Sequence, residues 1–375
     1  MDLNTVWFIL IAVLWSGYFV LEGFDFGVGI LLPVVAKNEA EKRAVITTLG
    51  PIWDGNEVWL LVAGGATFAA FPAWYATMFS GFYLPLLLIL VALIIRGVAF
   101  EYRSKRSGVA WRKWFDWAII VGSFLPALLW GVAFANIVRG IPLRAGANNN
   151  PVYADVLYDG GFFNLLNPYA LVGGLTTLAL FLTHGATFLS LKTKGTIRER
   201  AAKLALPLGL VATVLAVVFL LWTQLAYSNK AATWILLIVG AVSWLVSLAM
   251  GKVGKPGWAF LFESITLAGT VAYLFWVLFP NVFPASNDSA LSLTIHNASS
   301  TPYTLQIMTV VAVIFTPLVL IYQAYTYWVF RKRVGPEDII DPEIGSLDLP
   351  HEPSAAERAA AASGKSNAAA TSSDG

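Results

Sequence analysis

The stretch VWFILIAVLWSGYFVLEGFDFGVGILLPVV, Val6–Val35, decides what kind of protein this is. It runs for thirty residues with two ionisable side chains, Glu22 and Asp25, where about 20 apolar residues suffice to carry a helix across a bilayer. It reads as a retained helix rather than a leader peptide. Asp2 stands where a basic n-region would be, no small-residue cleavage site follows, and two acids lie inside the apolar run.

Eight further apolar runs follow: Ile52–Phe71, Ala76–Phe100, Phe115–Val138, Phe163–Leu191, Leu204–Tyr227, Ala232–Met250, Trp258–Phe279 and Leu305–Phe330. The chain is 58% hydrophobic and 12% charged with a mean hydropathy of +0.70, far from the roughly 25% charge of a soluble domain. The expectation is an all-α membrane protein of about nine transmembrane helices. Ile52–Phe71 is the weakest span, with Asp54 and Glu57 in its first turn and Gly64-Gly65 within it, so a re-entrant segment is the alternative there.

Loop charge sets the orientation. Eighteen Lys and Arg residues fall in one set of loops, from Lys37, Lys42 and Arg43 to Arg331, Lys332 and Arg333, against Arg139, Arg144 and Lys230 in the other. The positive-inside rule then puts the N-terminus outside and the C-terminus in the cytoplasm. Residues 1–333 form the membrane domain. Residues 334–375 turn polar and Ala/Ser-rich, a composition that buries no core and reads as a disordered tail. A net charge of +2 gives no reason to expect a nucleic-acid partner, and the lack of cysteine excludes thiolate metal sites and iron–sulfur clusters held by this chain alone.

Ionisable residues inside spans are costly and mark functional candidates. Glu22 and Asp25 are three apart on one helix face, beside a Gly23-x-x-x-Gly27 pattern that admits a close neighbouring helix. They read either as a proton- or cation-holding pair or as structural hydrogen bonding. Asp54 and Glu57, between Trp53 and Trp59, repeat the spacing at a span entrance, as a proton-handling pair or as plain helix capping. Arg96 reads as a snorkelling residue at the polar interface, with Glu101 and Lys105 at i,i+4 completing a polar inlet. Glu263 reads as structural or partner-facing. The three histidines, His184, His296 and His351, supply no intramembrane bis-His pair for a haem, and His184 reads as a hydrogen-bonded structural residue.

Three motifs in order, Gly23-Phe24-Asp25-Phe26-Gly27-Val28-Gly29, then Trp53-Asp54-Gly55-Asn56-Glu57-Val58-Trp59-Leu60, then Arg96-Gly97-Val98-Ala99-Phe100-Glu101-Tyr102-Arg103-Ser104-Lys105, resemble the second subunit of cytochrome bd-type quinol oxidases. The resemblance implies two four-helix bundles plus one peripheral helix, in the bacterial inner membrane, with no catalytic residue in this chain. It implies a respiratory complex that oxidises quinol and reduces oxygen to water, with two haems b and one haem d in a partner subunit I. Asp54 matches an acid on a proton route, Glu101 and Lys105 match polar positions at its cytoplasmic mouth, and Trp59 matches an aromatic of an oxygen channel. Glu57 stands where relatives carry Gln, and Glu101 where they carry Asp. Some members hold a structural quinone in this subunit, and small accessory subunits and membrane lipid are further expected partners. The rival reading is a self-sufficient proton-coupled secondary transporter, which should show matching broken helices in two halves; here the acids crowd into the first three spans.

Overall fold

The computed structural model describes residues 2–146, 155–340 and 342–348. Eleven α-helices are present among them: α1 (Leu3–Val35), α2 (Glu39–Leu49), α3 (Trp53–Ala70), α4 (Pro72–Gly81), α5 (Tyr83–Tyr102), α6 (Val109–Arg139), α7 (Pro168–Lys192), α8 (Gly195–Ala226), α9 (Thr233–Lys252), α10 (Pro256–Leu278) and α11 (Pro302–Val329). Sequence sets several starts: the side chains of Asp2, Asn167 and Thr301 each accept the amide three residues on, and proline follows at the first position of α7 and α11. Eight of these helices are long and apolar enough to span a membrane.

The ninth, α3, falls outside that group because its first turn carries Asp54, Asn56 and Glu57. It nevertheless runs from one end of the molecule to the other. Its start lies beside Leu21 and Asp25 of α1, while at its far end Ser300 N donates to Ala70 O at 2.8 Å, in the same outer loop whose His296 bonds Asn4. Eighteen residues at 1.5 Å each cover about 27 Å, close to the hydrocarbon thickness. The expected third span is corrected at its start: residues 72–81 form the separate α4, and a break at Phe82 precedes α5.

α1, α3, α5 and α6 form one four-helix bundle, α7 to α10 the other, and α11 stands at the periphery with 6% of its apolar window buried. The bundles meet where α1 and α6 of the first pack against α7 and α10 of the second. A Cβ at Gly27 would collide with the Phe181 backbone and Gly185, and one at Gly23 with the Phe181 ring, so the anticipated small-residue face is one part of the seam between the bundles.

The basic loops gather at one end and the two long loops at the other. In the long loops, β1 (Leu143–Ala145) pairs antiparallel with β2 (Val156–Tyr158), and β3 (Asn281–Phe283) with β4 (Leu293–Thr294), while Ile141 bridges to Ala285. Lys230 donates to the carbonyl oxygens of Trp276, Val277 and Phe279, satisfying the end of α10; burial pushes its ammonium below its ordinary value.

The expectation of a wholly unstructured tail is corrected for its first part. Val334 pairs with Thr193, Asp338 meets Lys194 at 2.9 Å, and Ile344 O accepts from Arg43 at 2.8 Å. Leu347 N donates to Lys105 O, and Asp348 accepts from the amide and hydroxyl of Ser107. This strap ties together three basic loops. The Ala/Ser-rich stretch from Ser354 lies outside the described residues, as does His351.

Candidate functional site

The acids of the first three spans converge on one buried centre. Glu22 and Asp25 sit on α1 with no exposed surface. Arg96 of α5 is equally buried and bonds Glu22, while the same nitrogen, Nη2, lies 3.0 Å from Glu57 Oε2 on α3. The guanidinium lies 4.6 Å from the Phe26 ring centroid and 5.7 Å from that of Phe100. Arg96 therefore does not snorkel to the interface, as its position four residues before the end of the span suggested. A guanidinium in the bundle interior needs anionic partners, and the two glutamates supply them.

Asp25 turns to α3 instead, where Asn56 Nδ2 donates to its Oδ2 at 2.8 Å. Asn56 Oδ1 in turn accepts from the Tyr327 hydroxyl at 2.8 Å and Gln323 Nε2 at 3.2 Å, both on α11. The sequence reading missed Asn56, Gln323 and Tyr327. Their signal was available: an amide in an acid-rich first turn, and two polar residues at i,i+4 on one face of an otherwise apolar helix.

Asp54 and Glu101 are brought together. Both line an open cleft of about 660 Å³ between the start of α3, the end of α5 and α11, with Tyr322, Gln323 and Tyr327 on the far wall. Capping does not explain Asp54, since Ile52 holds the N-cap position and no side chain caps α3. Nor do the tryptophans serve the acids directly. Trp53 packs on Phe100 and Gly97 of α5, and Trp59 lies over Gly17 of α1 and donates to Gln323 at 3.2 Å, so the pair fastens α3 to its neighbours.

Lys105 is not paired with Glu101. The α-helix ends at Tyr102 and a 3₁₀ turn covers Arg103–Lys105, which breaks the i,i+4 register, and among the described residues no ion pair joins the two. The charge network beneath the cleft runs through Arg103 instead, which meets Glu39 at 2.5 Å and Asp116 at 2.5 Å, with Lys42 2.7 Å from Asp116. Nearby, burial alone would raise the Glu41 carboxyl, but the Lys37 amide, Arg200 and Thr196 outweigh it and hold it below its ordinary value.

Trp59 does not line the apolar groove beside α3. That groove, about 450 Å³, opens between α3, α4 and α5, lined by Leu60, Gly64, Gly65, Phe68, Leu90 and Trp130 among others. Gly64 and Gly65, which interrupt the span in sequence, have open space where a Cβ would be.

Among the described residues the histidines do not fit a haem. Both ring nitrogens of His184 are engaged, by Glu263 and the Val20 carbonyl, and His296 lies in an outer loop against Asn4. Among the described residues no group of three His, Cys, Asp or Glu side chains is placed to hold a metal ion.

Comparison with known proteins agrees with the motifs. The family model described as cytochrome bd terminal oxidase subunit II matches residues 3–330. The chain is 38% identical over 370 residues to cytochrome bd-I ubiquinol oxidase subunit 2 of Escherichia coli, covering 90% of this chain and 96% of that one. It is 40% identical over 338 residues to cytochrome bd ubiquinol oxidase subunit 2 of Bacillus subtilis, covering 89% and 97%. The bd oxidase structure from Geobacillus thermodenitrificans shares the fold at a TM-score of 0.70 and 17% identity, over 88% of this chain and all of that chain. A self-sufficient transporter finds no support in these matches. The chain belongs to the cytochrome bd terminal oxidase subunit II family, and is a multi-pass subunit of a bacterial inner-membrane quinol oxidase complex.

Proposed function

We propose that this chain admits protons from the cytoplasm to the oxidase complex, through the cleft that holds Asp54 and Glu101. The observation that carries this is the position of that cleft. It lies at the basic end of the molecule, which the positive-inside rule assigns to the cytoplasm, and one helical turn from Glu57, the partly exposed outer member of the Glu57–Arg96–Glu22 cluster.

Charge balance supports a centre that takes up protons. Three carboxyls, Glu22, Asp25 and Glu57, face one guanidinium, and an unpaired charge in the membrane interior costs several kcal/mol. Glu22 Oε2, Asp25 Oδ1, and Arg96 Nε and Nη1 have no hydrogen-bonding partner among the described residues. Four unpartnered polar atoms in one cluster fit a hydrated, proton-conducting centre better than a helix lock, in which every polar atom is paired. The Asn56 amide bonds Asp25 and Tyr327 but is a poor proton relay. The route therefore runs by Asp54 and Glu57, with Asn56 and Arg96 orienting the acids.

The haem chemistry belongs to a partner. Two haems b and one haem d, with quinol as electron donor, are assigned to subunit I. Oxygen access is assigned to the apolar groove of α3 and α5, one turn from Trp59, and Lys105 to the outer rim of the proton inlet.

Replacing Asp54 with Asn tests the reading. Oxygen consumption by the assembled complex should fall at least tenfold with the haem spectrum intact; full turnover with normal assembly overturns the route.

A further inference from the structure

His184 of α7 is wholly buried, and its hydrogen bonds fix a proton count. Nε2 lies 3.2 Å from the carbonyl oxygen of Val20 on α1, and Nδ1 lies 2.9 Å from Glu263 Oε2 on α10. A carbonyl oxygen only accepts, so Nε2 carries a hydrogen. A neutral imidazole has just that one N–H, which leaves a lone pair at Nδ1 facing the carboxyl. An ionised carboxylate there would set two acceptors against each other. The 2.9 Å contact therefore needs one more proton, on Nδ1 as an imidazolium–carboxylate pair or on Oε2 as an acid donating to the ring.

Neither neighbouring hydroxyl removes that need. Thr187 Oγ1 at 2.8 Å and Ser247 Oγ at 3.1 Å both lie at the other carboxyl oxygen, Oε1. The ring is held flat against Phe260, 4.4 Å away at 9°, so it does not swing aside. The pair is nevertheless within reach of water. Glu263, 2% exposed, stands at the inner end of a cleft of about 530 Å³ that opens at the basic end between α8, α9 and α10.

We propose that His184 and Glu263 form a second proton-binding site of this chain, loaded from the cytoplasm through the α8–α9–α10 cleft and separate from the Asp54–Glu101 entrance. The proton leaves water in the cleft and is bonded at Oε2 or Nδ1, with no change of oxidation state. Other charges around the pair are Glu199 and Lys203 of α8 and Lys252 of α9, which line the cleft. Lys192 at the end of α7 is turned to the carbonyls of Phe330 and Lys332, and on α1 Glu22 and Asp25 are engaged by Arg96 and Asn56. The proton joins α7 to α10 within the second bundle, while Nε2 joins the same ring to α1 of the first, so its loss removes one bond inside the second bundle beside the contact between the two.

The test is pH-difference infrared spectroscopy of the purified complex in H₂O and D₂O. Wild type should show a carboxyl or imidazole band pair at this site that shifts in D₂O within seconds. Glu263→Gln completes the same bonds with a neutral His184 and should abolish these bands while the complex stays assembled; unchanged bands overturn the site. Should that variant fail to assemble, Thr187→Val decides. It removes one hydroxyl from Oε1 and should shift the frequency of a pH-dependent band, and a spectrum identical to wild type overturns the proposal. Ala202→Trp, which fills the cleft, should slow the deuterium shift at least tenfold, and an unchanged rate overturns the cytoplasmic route.

Discussion

Arg96 is the residue on which the first bundle turns. It links α5 to both α1 and α3 through Glu22 and Glu57, and Gly122 of α6 packs against its side-chain stem. Removing one partner of a buried ion pair costs about 3–5 kcal/mol, because the opposite charge is left unpaired. Arg96→Leu should therefore lower the thermal stability of the complex or prevent assembly, as read by the fraction of this chain recovered with its partners. Arg96→Lys should fall between, since an ammonium does not reproduce the guanidinium fork; equal recovery of all three proteins would remove Arg96 from its clamping role. Sequence showed that Arg96 lay within a span but not that it points into the bundle, because Glu22 and Glu57, which hold it there, come from two other helices. The acids were legible as candidates from their cost in lipid. Their partners were not, since Asn56 lies more than 260 residues from Gln323 and Tyr327 along the chain and meets them only when α11 docks.

At the scale of elements, periodicity and apolar length settled most of the architecture, and the failures have physical causes. The α3 helix was ambiguous because its polar first turn lies level with Asp25, within the protein, where lipid hydropathy is the wrong measure. The pairing of His184 with Glu263 was invisible because neither has a charged neighbour in sequence. The Gly23-x-x-x-Gly27 face was legible, but the partner it selects, Gly185, was not. Gly185→Leu should force α7 away from α1. Overpacking of this kind costs about 1–3 kcal/mol or more, and it should appear as a lower melting temperature with the Asp54 cleft still open to labelling. Wild-type stability in that variant would show that the seam is not where the bundles are held.

At the scale of the molecule, the strap of residues 343–348 fastens the basic loops around the proposed inlet. The Ser107 side chain and then its backbone amide hold Asp348 below its ordinary value of 3.8. A carboxylate with a lowered value favours the docked state above its ordinary range and loses that contribution as pH falls. Hydrogen exchange at residues 345–347 should thus be protected at neutral pH and rise as pH drops below about 3.8 toward the lowered value. Asp348→Asn should show the raised exchange already at pH 7; protection unaltered in that variant would assign the docking to Arg43 at the Ile344 carbonyl, Arg112 at the Glu343 carbonyl 2.8 Å away, and the backbone bonds alone. Opposite ends of the molecule were legible from the distribution of Lys and Arg, whereas the strap was not, because its bonds are largely to backbone atoms.

The central claim is that protons enter this complex through Asp54. The direct measurement is the rate of proton uptake, followed with a pH indicator, when the fully reduced complex is mixed with oxygen. Wild type and Asp54→Asn should bind oxygen equally fast, and the variant should take up protons at least tenfold more slowly. Proton uptake at the wild-type rate in a fully assembled Asp54→Asn complex would contradict the account.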